Sequence, residues 1–160
     1  MNKNVIQLML LTKKNGRLRA DFLRKHAGFK EIGEFVTWRP ILIPSEPEMV
    51  SIGTNVHVSA NVRFVTHDMF HRMFNFMENS SKKLEIYTGE IIIGNNVSIG
   101  ADVTLVYGAT ISDNTIVAAG AVVTKKFPPN VIIGGNPARI IGDFNELKQR
   151  RYKDIKDKKI

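Results

Sequence analysis

From Ile93 to Val123 an aliphatic residue recurs at every sixth position: Ile93, Ile99, Leu105, Ile111, Val117 and Val123. Helices place one face at a period of about 3.6 residues and strands at 2.0, so a period of six belongs to neither alone. The second position of each hexad is mostly small (Gly94, Gly100, Ser112, Ala118 and Thr124, with Val106 the exception). The fifth reads Val97, Val103, Ala109, Thr115, Ala121 and then Phe127, with turn formers Asn95-Asn96, Asp102, Gly108, Asp113-Asn114 and Gly120 between. Such self-similarity predicts an all-β solenoid, because each repeat buries its apolar residues only against its neighbours. A short strand at roughly 3.3 Å per residue and a tight corner fill one hexad. Three hexads then close a triangular coil of parallel strands. The period leaves the hand open, and the general crossover rule favours a right-handed one.

The 160 residues are enough for one core and short for two. No cysteine is present, which removes disulfides, thiolate nucleophiles and cysteine metal sites. The first apolar run, Val5 to Leu11, is too short for a membrane span and leads into Lys13-Lys14 rather than a small-residue cleavage site. The expectation is therefore a cytoplasmic protein with no membrane span.

Residues 1–30 read as an N-terminal helical cap of two short helices, with Val5, Leu8 and Leu11 on the first, Leu18, Phe22 and Leu23 on the second, and Gly28 ending it. Residues 31–142 carry the solenoid. Ile32 and Trp38 open its first hexads, Pro40, Pro44 and Pro47 break the rhythm, and Ile52, Val58 and Phe64 restore it. The step from Phe64 to Ile93 is not a multiple of six, so an insertion of about 68–86 loops out. Phe70, Phe74 and Met77 lie on one side of a short helix there, expected to pack on its own or a neighbouring coil; the same loop is a candidate acceptor-binding element. Residues 143–160 read as a basic helix with Phe144, Leu147, Arg151 and Ile155 on one stripe, expected to cap the far end. This tail supplies much of the net charge of +8. Only Tyr152 interrupts its basic residues, so a solvated face or an anionic cofactor accounts for the charge better than nucleic acid does.

The stretch GEIIIGNNVSIGADVTLVYGATISDNTIVAAGAVVTKKFPPNVIIGGNPARIIG, Gly89 to Gly142, resembles the C-terminal half of the hexapeptide-repeat acetyltransferases. It is most similar to the sugar and xenobiotic group: galactoside, maltose and capsular polysaccharide O-acetyltransferases. The ending Val-Thr-Lys, Pro-Pro and Gly-Asn-Pro-Ala-Arg carries most of the specificity. The resemblance implies a left-handed parallel β-helix, a homotrimer, acetyl-CoA as acyl donor with no metal, and a sugar or polysaccharide-precursor acceptor.

It also implies catalytic residues. His67 ends the run Asn61-Val62-Arg63-Phe64-Val65-Thr66-His67-Asp68, where these relatives hold their catalytic histidine. A neutral imidazole suits general-base removal of a hydroxyl proton as the oxygen attacks a thioester. Asp68 is the candidate to set the His67 tautomer or the local field. For the cofactor, the resemblance carries over Ala101, Ala119, Thr124, Lys125 and Arg139, the small residues for the pantetheine and the cations for its phosphates. Many relatives have tryptophan where this chain has Ser98; Tyr107 is the nearby aromatic alternative. Trp38 and Arg39 are either core or acceptor contacts. His26 suits a helix C-terminus. Rival readings are an amino-sugar N-acetyltransferase, a scaffold trimer, and a gamma carbonic anhydrase-like zinc site built from His57, His67 and His71.

Overall fold

The computed structural model describes residues 2–78 and 82–157. Two helices, α1 (Lys3–Leu11) and α2 (Gly16–His26), precede the strands β1 (Glu31–Ile32), β2 (Thr37–Trp38), β3 (Val50–Ile52), β4 (Val56–Val58) and β5 (Arg63–Val65). Helix α3 (Phe70–Met77) interrupts them. The strands resume as β6 (Ile91–Ile93), β7 (Val97–Ile99), β8 (Thr104–Val106), β9 (Thr110–Ile111), β10 (Thr115–Val117), β11 (Val122–Val123) and β12 (Lys126–Phe127). The chain then runs through β13 (Val131–Gly134) and β14 (Arg139–Asp143) into α4 (Phe144–Asp157).

Successive strands fall on three faces in rotation. The first face stacks β1-β3-β6-β9-β12, the second β2-β4-β7-β10-β13 with β14 added at its end, and the third β5-β8-β11. All pairings are parallel except β13 with β14. The chain is therefore a three-faced parallel solenoid. Its hexad residues stack in register as three columns: Ile32-Ile52-Ile93-Ile111-Phe127, Trp38-Val58-Ile99-Val117-Ile133 and Phe64-Leu105-Val123. The fifth-position residues Val97, Val103, Ala109, Thr115 and Ala121 are buried beside them.

Phe127 is a correction. It stacks on Ile111 in the first column rather than holding a fifth position. Ile93 to Ile111 is a step of eighteen residues and Ile111 to Phe127 one of sixteen, so the corner at Thr124-Lys125 is two residues shorter than its predecessors. Trp38 is core, fully buried between Phe64 (stacked, 5.3 Å) and Phe29 (edge-on, 5.5 Å).

Corners need left-handed backbone, and asparagine tolerates it better than most side chains. Before β4, β7, β10 and β13 stand Asn55, Asn96, Asn114 and Asn130, all with φ between 54° and 64°. Their amides form a ladder: Asn55 Nδ2 donates to Asn96 Oδ1 (2.9 Å), Asn96 to Asn114 (3.0 Å) and Asn114 to Asn130 (3.0 Å). Asn96→Ala loses two rungs and puts a Cβ-bearing residue without an amide into left-handed backbone. It should cost about 1–2 kcal/mol, read as a lower urea midpoint at unchanged m-value.

Helix α2 packs on β1 and β2 at the start of the solenoid. Asn15 caps α2 through the Leu18 N–H, and Gly16 lies so close to β2 that a Cβ would sit 2.5 Å from Thr37. Arg24 on α2 donates to the Ile32 and Gly33 carbonyls of the first coil, and Arg19 to that of Arg39 (3.1 Å). At the far end the expectation needs adjustment. The antiparallel β14 pairs with the last coil, and α4 runs on with Tyr152 and Ile155 exposed.

The insertion also departs from expectation. Helix α3 forms, yet none of its residues is buried within this chain: Phe70, Met73, Phe74 and Met77 are exposed, and Phe76 is 92% exposed. Asn75 closes the loop on itself, its amide donating to the Leu84 carbonyl and accepting from the Leu84 N–H (both 2.8 Å). No described helix is long and apolar enough to cross a membrane.

Candidate active site

The rhythm breaks at the corner that follows β5, between the third and first faces. There Thr66, His67 and Asp68 leave the coil, and the returning chain closes the neck of the insertion. Gly89 N–H donates to the Thr66 carbonyl (2.9 Å), Asp68 N–H to that of Tyr87 (3.2 Å), and His67 forms an antiparallel bridge with Thr88.

His67 Nδ1 lies 2.9 Å from Glu46 Oε2, and the same carboxylate oxygen accepts from the Thr66 hydroxyl. Glu46 precedes β3 in the coil below, where Pro40 to Glu46 stand in for a third-face strand; it reaches the same corner one coil earlier. Both side chains are about three-quarters buried, at 27% and 24% exposure. Burial pushes the Glu46 carboxyl up, but the hydrogen bonds from Thr66 and His67 and the His67 charge outweigh it, so the group is held below the usual carboxylate range. An ionised carboxylate at Nδ1 fixes the proton on that nitrogen and leaves Nε2 as a lone-pair acceptor. The arrangement can remove a proton from a hydroxyl placed at Nε2.

Glu46 was missed from sequence. Its only signal was an acidic residue between Pro44 and Pro47 in the aperiodic coil. Asp68, the candidate from sequence for the His67 tautomer or the local field, directs its carboxylate away from the ring. Adjacent residues in extended chain point to opposite sides, and Asp68 instead accepts from the Tyr107 hydroxyl (2.9 Å) and the Phe70 N–H (3.1 Å). That bond, with burial and the Asp68 charge, raises the Tyr107 phenol above its ordinary value. Tyr107 stacks edge-on against Tyr87 (5.4 Å), so the aromatic surface beside His67 is theirs. Ser98 faces outward from the second face, on a different side of the prism.

The candidate cofactor residues fall on two corners that flank the third face. Ala101 and Ala119 stack one coil apart where the second face turns into the third; Gly120 N–H donates to the Ala101 carbonyl (2.9 Å). Gly100 sits so close to them that a Cβ would lie 2.5 Å from the Ala119 nitrogen. Arg139, opposite Gly134 in β14, stands at the end of this column. Thr124 and Lys125 form the short corner in the column of His67, two coils on, with Lys125 Nζ over the Phe127 ring (5.5 Å). His57 projects from the second face and His71 lies on α3, and among the described residues no three His, Cys, Asp or Glu side chains gather where they could hold a metal ion.

Residues 90–125 match the family described as bacterial transferase hexapeptide (six repeats). The chain carries that repeat. Over 110 residues it is 42% identical to galactoside O-acetyltransferase of Escherichia coli (strain K12), a match covering 67% of this chain and 51% of that protein. Over 101 residues it is 43% identical to Protein CapG of Staphylococcus aureus, covering 61% and 54%. The hexapeptide-repeat chain thus spans about half the length of these curated relatives. A solved galactoside acetyltransferase in complex with coenzyme A shares the fold, with a TM-score of 0.65 at 24% identity over 92% of this chain and 81% of that one.

Proposed function

We propose that this hexapeptide-repeat chain transfers acetyl from acetyl-CoA to a hydroxyl of a sugar or polysaccharide precursor. The observation that carries the reading is the Glu46–His67 pair at the corner where the coil opens. The coil is taken as left-handed and the assembly as a homotrimer in the cytoplasm, in keeping with the resemblance. In a C3 assembly each third face can border a neighbouring copy, which would enclose a groove that one prism leaves open.

The residues fit the donor. The Ala101–Ala119 corner lets an extended pantetheine approach backbone amides, and Arg139 and Lys125 place cations for its phosphates. Bound acetyl-CoA supplies the thioester under attack. His67 Nε2 accepts the acceptor's hydroxyl proton as its oxygen bonds to the carbonyl carbon. The carbon–sulfur bond breaks, and the imidazolium returns the proton to the departing sulfur. Glu46 stabilises the transient imidazolium and keeps the ring oriented. Asp68 acts through Tyr107, shaping the wall beside His67. The exposed apolar side of α3 borders the same corner, where it can meet an acceptor or a neighbouring copy.

Thiol release from acetyl-CoA with a thiol-reactive dye, across sugars and nucleotide sugars, tests the proposal; a protein without cysteine contributes no background. Acceptor-dependent release supports it. Cofactor binding without release for any hydroxyl acceptor, together with turnover of an amino sugar, would move the reading to N-acetylation. Arg139→Ala should raise the apparent KM for acetyl-CoA about tenfold while kcat changes less, as expected for a lost phosphate contact; an unchanged KM removes Arg139 from the cofactor site.

A further inference from the structure

Helix α1 is apolar on nearly every side. Its sequence, KNVIQLMLL, has six aliphatic or methionine residues in nine, and a helix apolar all round is ordinarily covered all round. The structure covers one side. Ile6 and Leu10 are buried in the core cluster with Ala20 and Leu23 of α2. Val5, Leu8 and Leu11, whose spacing reads as a core stripe, face outward instead, at 45%, 65% and 55% exposure. Asn4 and Thr12 share the exposed side, so it carries no charge. Leu18, in the first turn of α2, is a fourth exposed aliphatic of the cap.

Basic residues stand at both ends of this surface. Residues 1–20 contain Lys3, Lys13, Lys14, Arg17 and Arg19, and no Asp or Glu. Two of the five are engaged: Lys13 Nζ lies over the Phe22 ring (4.9 Å), and Arg19 donates to the Arg39 carbonyl (3.1 Å). Lys14 and Arg17, just beyond α1, are exposed. The first acid in the sequence, Asp21, is paired with Arg24 (2.8 Å).

Three kinds of occupant differ in what they require. A second copy would set these basic residues against themselves, and four half-exposed aliphatics fall well short of the roughly 800 Å² per partner of a standard interface. A nucleic acid would use the cations and leave the aliphatics bare. An anionic bilayer surface uses both. A helix lying in the interface buries its apolar side about 5–10 Å deep, while lysine and arginine meet the headgroups.

We propose that α1 docks the chain on an anionic phospholipid surface, with Val5, Leu8 and Leu11 in the interface and Lys14 and Arg17 at the headgroups. The contact is peripheral, since nine residues are too few to cross a bilayer. The cap packs on the first coil, and Glu46 and His67 close the first and second coils, one strand spacing of about 4.8 Å apart. The His67 corner thus lies close to the docked end. Docking stands apart from the acetyl-transfer reading; that a surface-held acceptor would come within reach of His67 rests on it.

The test is co-sedimentation of the full chain with vesicles of phosphatidylcholine, alone or mixed with phosphatidylglycerol. Binding should require phosphatidylglycerol and fall at least about tenfold between about 0.1 M and about 1 M salt, as the screening length shrinks. Leu8→Glu should lower the partition coefficient at least about tenfold, with the thermal midpoint within about 2 °C because the position faces solvent. Lys14→Glu combined with Arg17→Glu should lower it at least as much. Leu8→Trp should keep binding and show a blue-shifted emission on vesicles, against the constant signal of the buried Trp38. Lys148→Glu with Arg151→Glu, on the exposed basic α4, should weaken binding less than the α1 variants do. No binding to phosphatidylglycerol vesicles, equal binding to neutral ones, or indifference to Leu8→Glu would each overturn the proposal. So would a larger loss from the α4 pair, or sedimentation velocity showing that Leu8→Glu removes an association between copies. Vesicle binding is read without acetyl-CoA, so failure of the acetyl-transfer reading leaves this result interpretable.

Discussion

His67→Ala should lower kcat for acetyl transfer by about 10²–10⁴-fold, the usual contribution of a positioned general base. The KM for acetyl-CoA should stay within about twofold, because in the proposed reaction His67 meets the acceptor proton rather than the phosphates. The loss should also be insensitive to the thermal midpoint, since a partly exposed corner histidine contributes little to the packed columns. Initial rates and calorimetric cofactor binding on the same preparation separate these outcomes. Full turnover in the alanine variant would remove His67 from the reaction.

Glu46→Gln is the companion experiment. Glutamine keeps the size but can present its NH₂ to Nδ1, which favours the wrong tautomer and places the proton on Nε2. We expect kcat to fall at least about tenfold, and up to about 10⁴-fold where such orientation is strict. The folded protein has its own pH dependence at this site. The Glu46 carboxyl is held low in the folded state, so its contribution to stability is present above the ordinary carboxylate range and fades as pH falls through the lowered value. A purely structural Glu46 would alter the thermal midpoint while leaving kcat of the folded protein unchanged. Asp68→Asn, by contrast, should lower kcat less than Glu46→Gln does, since Asp68 bonds Tyr107 rather than His67.

The prism was legible because its information is periodic. Ile93, Ile99 and Leu105 announce three faces, and the stacking of each on a residue one coil later follows from geometry. The shortened corner at Thr124-Lys125 was not legible: Phe127 is apolar in either phase, and only the pairing with Ile111 decides between them. His67 could be found because it sits at a break in the period and within a recognisable run. Its partner could not, since Glu46 lies twenty-one residues away in a proline-broken coil whose course no period dictates. The exposure of α3 was equally hidden. Amphipathic spacing predicts a helix with an apolar side but cannot say whether its own chain covers that side.

The pinched neck below α3 has an evolutionary reading. Thr66 to Gly89, Asp68 to Tyr87 and the His67–Thr88 bridge join the two ends of the excursion before it departs, and Asn75 fastens its interior independently. The coils on either side of the excursion pair in register across it. The segment is thus built like a cartridge, set into a scaffold whose Glu46–His67 corner lies outside it. On the acetyl-transfer reading, a different insertion could change what is accepted over His67 while the Glu46–His67 pair stays fixed.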